Sequence, residues 1–181
     1  MKKIPKVKFG TRAFERFENE IPIDRLKFDE RVKVACTSCE MFGKNFACPP
    51  YSPDLQVYSA AAKTVLVICY RVAVEHTKAA AVEEQYLTAY QVAKEHLHNN
   101  LNIYHTRGYT VAGCGPCEEC AHCAVEKGSN ICKFPRKRIF SLESLGINLV
   151  ELSKEIFGFT LEWSGPRTAA NFVSAIGAVF K

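Results

Sequence analysis

The chain has 181 residues, 48% of them hydrophobic, and a formal net charge of +5. That length and apolar content can build a core without disulfide staples, and no apolar run reaches the roughly 20 residues that span a bilayer. Residues 1–10 lack the apolar stretch of a signal peptide and no repetitive or Pro/Ser-rich tract breaks the chain, so one cytoplasmic domain over residues 1–181 is expected.

Residues 12–24 read as a short helix that covers the first cysteine motif. That motif, Cys36-x2-Cys39-x8-Cys48, runs directly into Pro49. Residues 64–74, with Val65, Leu66, Val67 and Ile68 in succession, predict a buried strand. Cys69 lies within it, has no neighbour at ligand spacing, and reads as a small core side chain. Residues 78–101 place Val82, Tyr86, Ala89, Ala93 and Leu97 at steps of three and four, which marks an amphipathic helix with its Tyr/Ala face inward. His96 and His98 fall on its polar side and are expected to be exposed. Residues 109–112 predict a short strand, after which Gly113 and Gly115 free the backbone for a ligand loop. Cys114, Cys117, Cys120 and Cys123 then supply four thiols in ten residues, and Cys120-x2-Cys123-x8-Cys132 repeats the first spacing, with Pro135 shortly after. Ser141, Glu143 and Ser144 begin a second helix that carries Leu145, Leu149, Leu152 and Ile156 inward and stops at Gly158. Residues 159–163 and 172–180 read as closing strands joined by the turn Ser164-Gly165-Pro166. The sum is an α+β fold in a single domain, a mixed β-sheet with packed helices and the cysteine-rich loops gathered at one end.

Scattered core cysteines would not produce repeated x2 and x8 spacings. Two cysteines with two residues between them turn both sulfurs towards one centre, and a third after a longer loop adds a ligand from another direction. The eight clustered thiols match two [4Fe–4S] clusters at four thiolates each. One partition gives Cys117, Cys120, Cys123 and Cys132 to one cluster, and Cys36, Cys39, Cys48 and Cys114 to the other. If Cys114 is free instead, one iron keeps an open position, which separates an electron carrier from a catalyst. Structural zinc competes, because C-x2-C pairs from two parts of a chain also build zinc ribbons.

Residues 31–53, with Cys36-Thr37-Ser38-Cys39 and Phe46-Ala47-Cys48-Pro49-Pro50, resemble part of a known pattern. Together with Gly115-Pro116-Cys117 through Cys132-x2-Pro135 and Ser141-Leu142-Glu143-Ser144-Leu145-Gly146-Ile147, the chain looks like a family of predicted metal-binding, cysteine-rich proteins of iron–sulfur type from anaerobic bacteria and archaea. The likeness covers about a third of the chain and departs from the family pattern at Phe46, Lys133 and Cys114. It implies metal or iron–sulfur binding by Cys36, Cys39, Cys48, Cys117, Cys120, Cys123 and Cys132, and no particular reaction.

Two clusters of about −2 each would bring the charge to roughly +1, so the basic excess reads as local compensation. Lys133, Arg136, Lys137 and Arg138 lie just beyond Cys132, suited either to docking an acidic redox partner protein or to a solvated loop. The patch is short and has no interleaved aromatics, which argues against nucleic acid as a partner, and nothing in the chain calls for a membrane. His122, between Cys120 and Cys123, has the chemistry to ligate or to shuttle protons, although a residue between two ligands usually points away from the metal. His76 and His105 flank elements and form no constellation. No Ser/His/Asp order, Walker-type Gly-x4-Gly-Lys or dinucleotide fingerprint occurs. Three functions remain open: electron transfer through two [4Fe–4S] clusters, an iron–sulfur enzyme or activator with an open iron site, and a structural zinc-binding protein.

Overall fold

The computed structural model describes residues 14–76, 81–165 and 168–181. Among them, strands β1 (Phe14–Pro22), β2 (Thr64–Ala73), β3 (Thr110–Gly113), β4 (Phe140–Ser141) and β5 (Phe172–Phe180) form one sheet in the order β1-β2-β5-β3-β4. The pairs β1–β2, β2–β5 and β5–β3 are antiparallel, and β3–β4 is parallel. This is the expected α+β architecture with a mixed sheet.

Side-chain alternation gives the two central strands two buried faces. Val65, Val67 and Cys69 of β2 share one face with Ile176, Ala178 and Phe180 of β5. Leu66, Ile68, Tyr70 and Val72 share the other with Val173, Ala175 and Val179. Helix α3 (Val82–Thr106) covers that second face with Ala89, Val92, Ala93, Leu97 and Leu101. Full burial of each large side chain contributes about 1.5–3 kcal/mol. Gly177 permits the close approach of this helix. A Cβ there would lie 2.7 Å from the Ala112 carbonyl oxygen and 2.9 Å from a Leu101 methyl. The opposite face is covered by helix α4 (Leu149–Phe157) and the chain just before it, through Leu142, Leu145, Ile147, Leu149 and Leu152. Two short helices, α1 (Glu30–Cys36) and α2 (Leu55–Tyr58), flank the first cysteine motif.

Three sequence expectations change. Residues 14–22 are the edge strand β1, not a helix, and they lie on the far side of β2 and β5 from β3 and the second cysteine run. Phe14, Phe17 and Ile21 mimic helical spacing, but Phe17 packs with Phe157 and Phe159 on one sheet face while Phe14 meets Tyr70 and His96 on the other. The predicted helix from Ser141 is a 3₁₀ turn, Glu143–Leu145, followed by Gly146 at φ +89° and then α4. The Asn148 side chain caps α4 by accepting from the amides of Val150 and Glu151 at 3.1 and 3.3 Å. Residues 159–163 form no strand, because β2 and β5 pair along their length and β3 occupies the other side of β5. Of the predicted turn, Gly165 bridges Thr168 and Pro166 lies outside the described residues. The predicted start of α3 also falls partly outside them, at 78–80. No helix among the described residues is long and apolar enough to cross a membrane.

Candidate metal centre

All nine cysteines are free thiols. Cys36 is the last residue of α1, a helix capped by the Asp29 carboxylate, which accepts from the Arg31 amide at 3.0 Å and is held at a pKa of about 2 by the Arg31 guanidinium. The chain then folds tightly back. Cys39 N–H donates to the Cys36 carbonyl at 3.1 Å, Cys48 N–H to Asn45 at 2.9 Å, and Gly43 N–H to Pro49 at 2.9 Å. Cys36 and Cys48 are half-buried and Cys39 is exposed. Burial is the main cause that pushes the Cys48 thiol up to about 11, and the neighbouring thiols Cys39, Cys36, Cys117 and Cys123 push it the same way. The two cysteine runs meet in this loop, where Phe46 N–H lies 3.4 Å from Cys123 Sγ.

Cys117, Cys120, Cys123 and Cys132, all half-buried, line one cavity of about 20 Å3 together with Asn45, Phe46 and Arg138. Backbone amides are aimed at two of these sulfurs. Phe46 N–H donates to Cys123 Sγ at 3.4 Å, and the amides of Glu119 and Ile139 donate to Cys117. Asn45, itself buried, joins the two motifs: its Nδ2 donates to the Cys117 carbonyl at 2.9 Å while its Oδ1 accepts from the Ala47 amide at 2.9 Å.

Cys114 sits apart from both groups of more accessible thiols. It is 4% exposed within the α3-side core, takes a hydrogen bond from the Tyr90 hydroxyl, and is pushed up to about 12 by burial. Tyr90 is one of three α3 residues at steps of four that hold this loop. Lys94, also buried, pairs with Glu118 at 2.5 Å, and His98 donates to the Cys114 carbonyl. A Cβ on Gly115 would lie 3.3 Å from Lys94 Nζ and 3.4 Å from the Tyr90 oxygen. His96 and His98 are thus not exposed as expected: His96 stacks on Tyr70 at 5.6 Å, and His98 Nε2 is enclosed without a hydrogen-bond partner among the described residues. His122 turns outward, its Nδ1 3.4 Å from Glu126 and its side chain 72% exposed. Cys69 is fully buried in β2, as its position in an apolar strand predicts. Beside the second cysteine run lies a larger cavity of about 540 Å3, bordered by Gln91, His98, Cys114, Glu118, Glu126 and Lys137 among others.

Half-buried thiols that receive peptide N–H bonds are the donor chemistry of a thiolate-bound metal centre. A tetrahedral zinc draws its sulfurs to about 4 Å from one another. Among the described residues no three Cys, His, Asp or Glu side chains converge on one such position. A sulfide-bridged iron centre would hold its thiolates further apart, and peptide N–H bonds to sulfur suit either kind of centre.

An α+β scaffold whose two C-x2-C-x8-C runs are bonded to one another defines a cysteine-rich metal-binding protein. The chain belongs to the family described as "Predicted metal-binding protein (DUF2284)", which matches residues 19–180. No curated protein and no solved structure matches it.

Sequence reasoning missed Asn45 and the Tyr90, Lys94, His98 stripe. A lone asparagine in a loop carries no periodic signal beyond its place between Cys39 and Cys48. The stripe was legible in principle, because polar side chains recur at steps of four beside the apolar face of α3.

Proposed function

We propose that this protein binds [4Fe–4S] clusters and serves in electron transfer. The observation that carries the reading is the arrangement of Cys117, Cys120, Cys123 and Cys132 around one small cavity, with backbone amides directed at Cys117 and Cys123. These four thiolates would hold one cluster. Cys36, Cys39 and Cys48 would hold a second. Each bound cluster supplies a centre that takes up and gives back one electron.

The chain's own residues set the conditions for that role. Amide N–H bonds to sulfur disperse thiolate charge and favour the reduced state. Asn45 fixes the first loop against the second, so the distance between the two groups of thiols is held by the fold. The Lys94–Glu118 pair and the Tyr90 hydroxyl anchor the 114–118 segment to α3 and limit its rearrangement when charge changes.

The cavity of about 540 Å3 favours a second reading, an iron–sulfur enzyme or activator. It opens beside Cys117 and Cys120 and offers His98, Glu118 and Lys137 as polar groups to orient a bound molecule. The test of the main reading is iron, acid-labile sulfide and zinc per chain on protein purified without oxygen. About eight irons with matching sulfide supports two clusters. Zinc without sulfide would refute both redox readings and leave a structural zinc protein.

A further inference from the structure

We propose that Glu143, not Cys114, is the fourth protein ligand of the Cys36, Cys39 and Cys48 centre, which makes that centre three thiolates and one carboxylate. The inference rests on the reading that this centre binds an iron–sulfur cluster.

Position comes first. The turn Glu143–Leu145 is stitched to both ends of the first cysteine motif. Gly146 accepts from the Asp29 amide at 2.7 Å, at the start of the helix that ends in Cys36. Ser144 accepts from the Ser52 hydroxyl at 2.8 Å, and the Ser52 amide in turn donates to the Cys48 carbonyl at 3.2 Å. Gly146 locks the turn here. Its φ of +89° and the Phe28 ring, which would stand 2.4 Å from an added Cβ, admit only glycine.

The carboxyl group itself is incompletely satisfied. One oxygen, Oε2, is enclosed and has no hydrogen-bond partner among the described residues. The remaining support comes from Ser141 and from the Glu143 amide. Burial favours the neutral acid here, and a bound cation would take the place of that proton. The turn that carries Glu143 packs against α1, whose last residue is Cys36. Cys114, by contrast, already has a partner in the Tyr90 hydroxyl and packs as a core residue. Carboxylate and thiolate carry the same charge, so the exchange leaves the net charge of the centre unchanged. An oxygen donor is nevertheless the harder ligand, and among three thiolates it is the one most readily displaced by an incoming molecule.

The test is anaerobic reconstitution of wild type, Glu143→Gln, Glu143→Cys and Cys114→Ala, with iron and sulfide per chain and electron paramagnetic resonance of oxidised and reduced protein. The Cys117/Cys120/Cys123/Cys132 signal serves as the internal control for folding. The expected result is that Glu143→Gln converts one cluster to a three-iron form, Glu143→Cys restores four irons with a shifted resonance, and Cys114→Ala matches wild type. Full iron and an unchanged resonance in Glu143→Gln would overturn the proposal, as would a three-iron form in Cys114→Ala alone. Should Glu143→Gln lose the control signal as well, an unshifted wild-type resonance in Glu143→Cys decides against ligation and a shifted one for it. Wild-type protein that takes up zinc and no sulfide would overturn the underlying reading along with it, and is told apart because the wild type itself then lacks both signals.

Discussion

Asn45 Nδ2 donates to the carbonyl of Cys117 at 2.9 Å, so the loop between Cys39 and Cys48 is bonded directly to the second cysteine run. The same side chain accepts from the Ala47 amide at 2.9 Å, and the next residue, Phe46, sends its N–H to Cys123 Sγ at 3.4 Å. One dipeptide therefore positions parts of both motifs. Asn45→Ala would leave the Cys117 carbonyl and the Ala47 amide unpaired in a buried place, at a cost of about 1–3 kcal/mol. Asn45→Asp keeps the acceptor for Ala47 and loses the donor to Cys117, so it should be destabilising as well. Urea unfolding of the two variants measures this; wild-type midpoints in both would show that the bridge contributes nothing.

The close contact at Gly177 gives a second test on the opposite face of the sheet. An added methyl would press on the Ala112 carbonyl at 2.7 Å and on Leu101 and Leu97 at 2.9 and 3.1 Å. Backbone yields less readily than a side-chain tip, so Gly177→Ala should destabilise the chain by about 1–3 kcal/mol through overpacking. Because β3 leads into the loop that carries Cys117, Cys120 and Cys123, the strain should also reduce iron retention. A melting temperature equal to wild type would mean that α3 can shift outward freely.

Much of this scaffold could be read from local pattern, and the misses have a common cause. β2, β3, β5 and the Ala89, Ala93, Leu97 face of α3 follow from residues adjacent in the chain. Residues 159–163 did not become a strand because the neighbours of β5 come from elsewhere in the chain, and β1 was misread because an edge strand buries only part of its pattern. At the site, the repeated spacing placed Cys120, Cys123 and Cys132 in one group and left the choice between Cys114 and Cys117 open; Cys117 lines one cavity with those three. Spacing gave no warning that Cys114 packs under Tyr90, since burial depends on where α3 lands. Gly146 and Asn148 were the available signs that the helix begins only at Leu149.

The buried thiols set a pH limit on the metal-free protein. Burial pushes Cys69 up to about 12 and Cys48 up to about 11, above the ordinary thiol value of 9.0. Each thiol keeps its proton in the folded chain at a pH where the unfolded chain has lost it. Their contribution is therefore fully present below pH 9 and is lost as pH rises through about 11 to 12. Thermal melts of reduced, metal-free protein between about pH 7 and about pH 10.5 should show a decline that steepens above pH 9. Tyrosines and lysines titrate there too, so Cys69→Ala is the comparator and should flatten the decline. An identical slope in the variant would remove Cys69 from the account.

The basic segment after Cys132 divides into two kinds of residue. Arg138 is committed to the fold: its guanidinium lies 4.7 Å over the Phe140 ring and donates to the Phe46 carbonyl at 3.4 Å. Lys133 and Lys137 instead rest near the Phe134 ring at 5.2 and 5.6 Å and, with Arg136, face solvent. Ile131, 77% exposed, and Phe134 add apolar surface beside these charges. In the proposed electron-transfer role this patch would receive an acidic donor protein. Replacing Lys133 and Arg136 by glutamine should slow reduction by an acidic ferredoxin about tenfold at low salt and much less once the charges are screened. Arg138→Gln should act differently, lowering iron retention at any salt concentration through the loss of its bond to Phe46. Stopped-flow reduction at two ionic strengths separates the cases. A rate in the double variant that is unchanged at low salt would place the docking surface elsewhere on the molecule.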